Sequence, residues 1–167
     1  ESNKLWEIAL NIRDNNKILS AFLKSELPKK QTRVLKDIIN NTKYPLAIRS
    51  SSLFEDSQYK PLAGIYSTFM LPNSSKLETD RLKQLIEAIK RVYASTFFQN
   101  PKSLLNKSDH RLEEEKMAII IMELAGKKHN ELFYPSLSGV AQSYNYYPVS
   151  YMKRNEGVVF TALGLGK

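Results

Sequence analysis

Residues 45–71 read PLAIRSSSLFEDSQYKPLAGIYSTFML. The first six, PLAIRS, form a short apolar run ending at Arg49, which predicts a strand. Residues 50–63 are polar and read as a loop. Gly64 then leads into IYSTFML, β-branched and aromatic, which predicts a second strand over 65–71. Downstream, Pro72-Asn73-Ser74 is a turn, and Ser75-Lys76-Leu77-Glu78 has capping-box spacing. Leu82, Leu85, Ile86, Ile89, Val92 and Tyr93 then keep a 3.6-residue period, predicting a long helix with Lys83, Glu87, Lys90 and Arg91 outside.

Met117–Leu124 (MAIIIMEL) is continuously apolar up to Glu123, which predicts a buried central strand. Residues 138–146 and 157–163 read as further strands. Upstream, residues 3–25 read as two helices broken at Asp14-Asn15-Asn16, with Asp14 or a neighbour as N-cap. Pro28 opens a third, with Val34, Leu35, Ile38 and Ile39 inward. The class is α+β: helices first, then a mostly antiparallel sheet with one long helix on it. The six glycines, at 64, 126, 139, 157, 164 and 166, each sit at the edge of an apolar segment, where a turn or close approach is expected.

The length of 167 residues and 42% apolar content suit one folded domain and argue against general disorder. There is no apolar run long enough to span a membrane and no signal-peptide pattern, so the expected location is cytoplasmic. No cysteine is present, which excludes disulfides and thiol catalysis, and two histidines, His110 and His129, argue against zinc. The formal net charge is +8. Residues 1–44 carry nine bases against five acids, while residues 45–75 are neutral. The excess is diffuse, forms no run of like charge and is weak support for a nucleic-acid partner.

Arg49-Ser50-Ser51-Ser52 admits two readings. A guanidinium beside hydroxyls and backbone N–H groups can grip phosphate, with Gly64 admitting a close approach and Ser67 and Thr68 adding donors. Alternatively the serines cap a surface turn and Arg49 pairs with Glu55 or Asp56. Glu113-Glu114-Glu115 reads as a solvated cluster, since adjacent acids cannot all face one site. The histidines lack a nucleophile at a known spacing. Tyr144, Tyr146, Tyr147 and Tyr151 could stack bases, but alternation through 144 and 146 reads more simply as one strand face.

PLAIRSSSLFEDS followed by PLAGIYSTFMLPN resembles the nucleotide-binding domain of the phosphoenolpyruvate synthase and pyruvate phosphate dikinase family, with its (V/I)RSS…ED segment and AG…T loop. AIKRVYASTFF (88–98), EEEKMAIIIMELAG (113–126), SGVAQSYNYYPV (138–149) and EGVVFTALGLGK (156–167) follow in the family's order. The wording is nearest a synthase-like branch. The resemblance implies an ATP-grasp half, ATP with Mg²⁺ as cofactors, and phosphoryl transfer to a histidine on a separate swivelling domain. A distant barrel domain, taking pyruvate, would be the further partner. Carried over by position, Arg49 is the phosphate-gripping arginine, beside Ser51. Gly64, Tyr66 and Ser67 lie in the loop covering the triphosphate, which Thr68 closes. Glu123, Leu124 and Ala125 fall on the strand edge that meets adenine.

The departures shape the expectation. A GGK-like segment near the start is absent, Asn100 and Leu105 stand near the place of an expected arginine, and Met122 stands for a glutamine. The family's metal-binding and catalytic acids follow the GLG motif, where this sequence stops. The expected organisation is a helical lead-in over 1–44 and a partial nucleotide-binding domain over 45–167, truncated and inactive alone, with no metal ligands of its own. The rival is a degenerate, non-catalytic ligand-binding or interaction domain.

Overall fold

The computed structural model describes residues 5–53, 55, 64–105 and 115–165; His110, Asp56, Glu113, Glu114 and the last glycine of the GLG motif lie outside them. The chain divides into two units, Glu1–Leu124 and Ala125–Lys167. The first holds α1 (Leu5–Asn11), α2 (Asn15–Lys24), α3 (Lys29–Asn41), β1 (Leu46–Ser52), β2 (Phe69–Leu71), α4 (Glu78–Ser95), α5 (Gln99–Leu105) and β3 (Met117–Glu123). The second is two antiparallel hairpins, β4 (Lys127–His129) with β5 (Leu132–Tyr134), and β6 (Leu137–Gln142) with β7 (Val158–Leu163). The fold is α+β as expected, but the strands form three separate antiparallel sheets rather than one.

In the first unit β1 lies between β2 and β3, antiparallel to both. Leu46 and Ile48 of β1 point into a core with Leu35 and Ile39 of α3 and Leu85, Ala88, Ile89 and Val92 of α4. Phe69, Leu71, Ile119 and Ile121 close it from the flanking strands. Each fully buried aliphatic side chain here is worth about 1.5–3 kcal/mol. A second cluster, Ala9, Ile18, Phe22 and Ala94, joins α1 and α2 to the end of α4, with Phe97 against Trp6 and Phe22.

Asp14 caps α2 as the sequence predicts, its carboxylate accepting from the Asn16 and Lys17 N–H groups. Val34 is a correction. It lies about 100° round α3 from Leu35 and is exposed, while Leu35 and Ile39 are buried. Ser75 is another. Its hydroxyl accepts from Leu77 N–H and bonds the Asp80 carboxylate, so α4 begins at Glu78 without a side-chain cap. The strand expected over 65–71 shrinks to 69–71. Tyr66 and the Ser67 N–H take partners outside the ladder, as set out below.

β3 is an edge strand of its sheet, not a central one. Its apolar run is continuous because only Met117, Ile119 and Ile121 face the helices, while Ile120 and Met122, each 45% exposed, face the other way. In the second unit β6 stops at Gln142. Asn145 is buried, its N–H donating to Arg154 O and its side chain accepting from Tyr147 N–H. Tyr144 and Tyr146 therefore meet edge-to-face in a loop rather than alternating along a strand. Gly157 is required there: its φ is +71°, and a Cβ would sit 2.4 Å from Gln142 O.

Three cations that periodicity places outside, or leaves unread, are turned inward. Arg81 of α4 is 5% exposed, and its Nη1 donates to Ile39 O (2.9 Å) and Thr42 O (3.3 Å) at the end of α3. Asn73, in the left-handed region at φ +50°, completes this node by donating to Thr42 O and Tyr44 O. Lys90 Nζ donates to Leu23 O and Ser25 O at the end of α2, and Lys102 Nζ to Leu10 O and Ile12 O at the end of α1. Burial pulls the Lys102 pKa below the ordinary lysine value.

Arg81→Leu strips a charge-assisted bond from buried carbonyls and is expected to cost about 2–3 kcal/mol in urea unfolding. Lys36→Ala, which removes the exposed pair with Glu78, should cost under about 1 kcal/mol. Equal losses in the two variants would contradict the structural role given to Arg81.

Candidate functional site

The β1–β3 ladder fixes which groups face where. Leu53 N–H bonds Lys116 O and Leu124 N–H bonds Pro45 O, at 3.3 and 2.8 Å. Antiparallel bonding alternates, so the β1 residues that exchange bonds with β3 are Ala47, Arg49 and Ser51. Glu123, opposite Leu46, then turns its own N–H and C=O to the unpaired edge of β3. Leu124 turns its N–H inward to Pro45. Of the expected adenine edge, Glu123 offers backbone groups, while its carboxylate accepts from the Thr42 hydroxyl. Ala125 begins the second unit.

Opposite residues share a sheet face. One face carries Leu46, Ile48, Ser50 and Ser52 toward the helices. The other carries Ala47, Arg49 and Ser51 with Met70 of β2 and Ala118, Ile120 and Met122 of β3. Arg49 is exposed at the middle of this second face, and among the described residues its guanidinium has no hydrogen bond or ion pair. In particular it does not pair with Glu55, one of the two partners named by the surface-turn reading. A guanidinium on a largely apolar, half-open sheet face has the chemistry to receive an anion.

Past the end of β1 the 64–68 segment is held twice. The Tyr66 hydroxyl donates to one oxygen of Glu115, and the other oxygen accepts from Leu53 N–H at 3.0 Å. Ser52 Oγ, at the end of β1, accepts from Glu55 N–H. One residue on, Ser67 N–H donates to Ser95 Oγ, which itself donates to Val92 O in the last turn of α4. Gly64, at φ +76°, and Thr68 stay exposed. Thr68 directly precedes Phe69, the partner of Ile48, which brings it beside Arg49. The six steps from Leu46 to Ser52 span about 20 Å, so the Glu123 edge and the 64–68 turn lie at opposite ends of one ladder.

A protein-family model described as the AMP/ATP-binding domain of pyruvate phosphate dikinase matches residues 5–167. The chain belongs to this family. No curated protein matches it. The family match takes in α1–α3 as well as the sheet. The ligand class that goes with this family is adenine nucleotides.

The sequence reading passed over Glu115 because it closes an acidic triplet that looked solvated. It is instead the acceptor on which Tyr66 and Leu53 converge. Only one signal could have found it: it stands just ahead of the apolar strand, at the position that register sets beside Leu53. His129 stacks on Tyr134 at 4.1 Å in the β4–β5 hairpin. Among the described residues no three His, Asp or Glu side chains gather as a metal site, and no helix is long and apolar enough to cross a membrane.

Burial first, and then the Glu115 carboxylate, raise the Tyr66 pKa far above the ordinary tyrosine value. The folded protein therefore keeps a proton that the unfolded chain releases near pH 10. This contribution is complete below about pH 10 and is lost as pH rises from there toward the folded value. Ultraviolet titration should find one of the nine tyrosines un-ionised until alkaline unfolding. Tyr66→Phe should flatten the alkaline decline in stability; an unchanged decline would count against the buried phenol.

Proposed function

We propose that this domain binds ATP along the open face of the β1–β3 ladder. The base would meet the Glu123–Ala125 edge, and the phosphates would run toward Arg49, Ser51 and the turn formed by Gly64, Tyr66, Ser67 and Thr68. The observation that carries this reading is the exposed Arg49, its guanidinium without a partner among the described residues, on a largely apolar sheet face of a chain from an AMP/ATP-binding family. Ile120, Met122 and Met70 offer apolar surface to a base. The outward N–H and C=O of Glu123 offer one donor and one acceptor to its edge. Arg49 supplies bidentate contacts to phosphate oxygens, with the Thr68 and Ser51 hydroxyls beside it.

In such a site the protein positions the phosphates and offsets their charge. We take the parent activity to be phosphoryl transfer from ATP to a histidine on another domain, in the manner of the phosphoenolpyruvate synthase and dikinase enzymes, on an ATP-grasp framework. Pyruvate would enter only at a further domain. Mg²⁺ needs several oxygen ligands in octahedral array. The described residues near Arg49 offer hydroxyls and no carboxylate cluster, so they do not fit a metal. The rival reading, a non-catalytic nucleotide-binding domain, draws on Met122, a thioether exposed on the face where the related enzymes carry an amide.

Calorimetric titration should show ATP binding that Arg49→Ala weakens by about tenfold or more, the worth of one charge-assisted bidentate contact. Undiminished ATP affinity in Arg49→Ala would overturn the placement. Hydrolysis of ATP by the 167-residue chain itself would overturn the expectation that it binds without turnover.

A further inference from the structure

Tyr66 stands in the turn expected to meet the phosphates, yet its hydroxyl is not free for a ligand. It is 6% exposed, and its O–H is spent on Glu115, a residue 49 positions away. The Glu115 carboxylate is shared, one oxygen to the phenol and one to the Leu53 N–H just beyond β1. Two points thus converge on this one carboxylate at the approach to β3: the end of β1 and the middle of the turn. Ser67, the next residue, is fixed through its backbone to Ser95 of α4.

The consequence is directional. Ser52 lies on the helix side of the sheet and the Ser67 N–H is tied to α4, while Arg49 and Ser51 lie on the open side. Holding Tyr66 down on one side fixes where the exposed residues flanking it, Gly64 and Thr68, can stand at the other. Without an anchor, a turn whose glycine has positive φ and nothing within 4 Å of a built Cβ has many conformations open to it. Ordering that turn on binding would then cost affinity.

We propose that Tyr66 and Glu115 are positioning residues that preorganise the Gly64–Thr68 turn for the distal phosphates, and so set the preference for ATP over AMP. The proposal rests on the nucleotide reading above. It goes further by assigning Glu115, and by giving Tyr66 a role through a protein partner instead of through the ligand. AMP is the informative comparison. Its single phosphate sits next to the nucleoside, nearer the Glu123 end of the ladder, whereas the turn lies at the far end.

The test is calorimetric titration of the protein with ATP and with AMP, for the wild type, Tyr66→Phe, Glu115→Ala and Glu115→Gln. Tyr66→Phe and Glu115→Ala should weaken ATP by about tenfold, the worth of one hydrogen bond to a charged group. AMP affinity should change less than about twofold, the remainder of the site being intact. Glu115→Gln keeps an oxygen for the phenol and should recover most of the loss. Hydrogen exchange at the Ser67 and Thr68 amides should quicken in Tyr66→Phe and slow again in Glu115→Gln relative to Glu115→Ala.

Equal weakening of ATP and AMP would mean a general structural role and overturn the proposal. ATP binding by the wild type that all three variants retain within about twofold would overturn it while leaving the nucleotide reading standing. Absence of ATP binding by the wild type would overturn both. A variant that no longer melts cooperatively is replaced by Ser95→Ala, which frees the Ser67 N–H of the same turn and is expected to give a smaller loss of the same ATP-selective sign.

Discussion

The carbonyl groups at the ends of α1, α2 and α3 are the constraint on which the first unit depends. A helix leaves its last four carbonyls without intrahelical partners, and helices of 7, 10 and 13 residues are too short to be stable alone. Here each C-terminus receives a cation from the later part of the chain. Lys102 of α5 reaches α1, Lys90 of α4 reaches α2, and Arg81 of α4 reaches α3. The cations satisfy orphan acceptors and also meet the negative ends of the helix dipoles. They tie residues 65 to 92 positions apart in α1 and α2, and about 40 apart in α3. The N-terminal helices are therefore bound into the same unit as the sheet.

The Arg81 node carries this constraint to the candidate site. Thr42 ends α3, and its carbonyl accepts from both Arg81 and Asn73 while its hydroxyl donates to Glu123 at the end of β3. Asn73 also holds Tyr44 O, two residues before β1 begins. One end of the β1–β3 ladder is thus fixed by a buried arginine, and the other by the Glu115 carboxylate. Arg49 sits between the two. The chain places one arginine where protein carbonyls consume it and another, Arg49, whose guanidinium meets no partner among the described residues.

Much of this was legible in the sequence where the signal is local. The Asp14 cap, the helix containing Leu85, Ile89 and Val92, and the strand at Ile48 follow from periodicity and capping chemistry. What was not legible depends on partners distant in sequence. Arg81 and Lys90 look like any solvated helix charges until the ends of α3 and α2 arrive beside them. Glu115 looks like part of an acidic cluster until register sets it by Leu53. The β4–β5 hairpin escaped because Lys127, Lys128 and His129 are not strand-forming residues by propensity, and the turn at Asn130, at φ +55°, does the folding. The phosphate reading of Arg49 could be framed from residues alone; whether Glu55 pairs with it could not, because that depends on how the chain turns after β1.

The net charge of +8 takes on a different meaning once the cations are located. Non-specific nucleic-acid binding needs several exposed cations spaced along one surface, because affinity comes from releasing several counterions at once. Three of the 25 bases are spent on helix ends, and two more, Lys36 and Arg91, pair with Glu78 and Glu87. Among the described residues, the strands of the open sheet face carry one cation, Arg49, with mostly apolar neighbours, and Lys116 stands at the end of the ladder. A polyanion lying on that face would leave most of its phosphates uncompensated. A small anion attached to a flat apolar ring would meet the guanidinium with its charge and the Met122 and Ile120 surface with its ring. The attraction would be strongest where the ring itself excludes water from the charged pair. The same +8 that reads as a weak nucleic-acid signal in composition is thus better matched, in three dimensions, to one nucleotide.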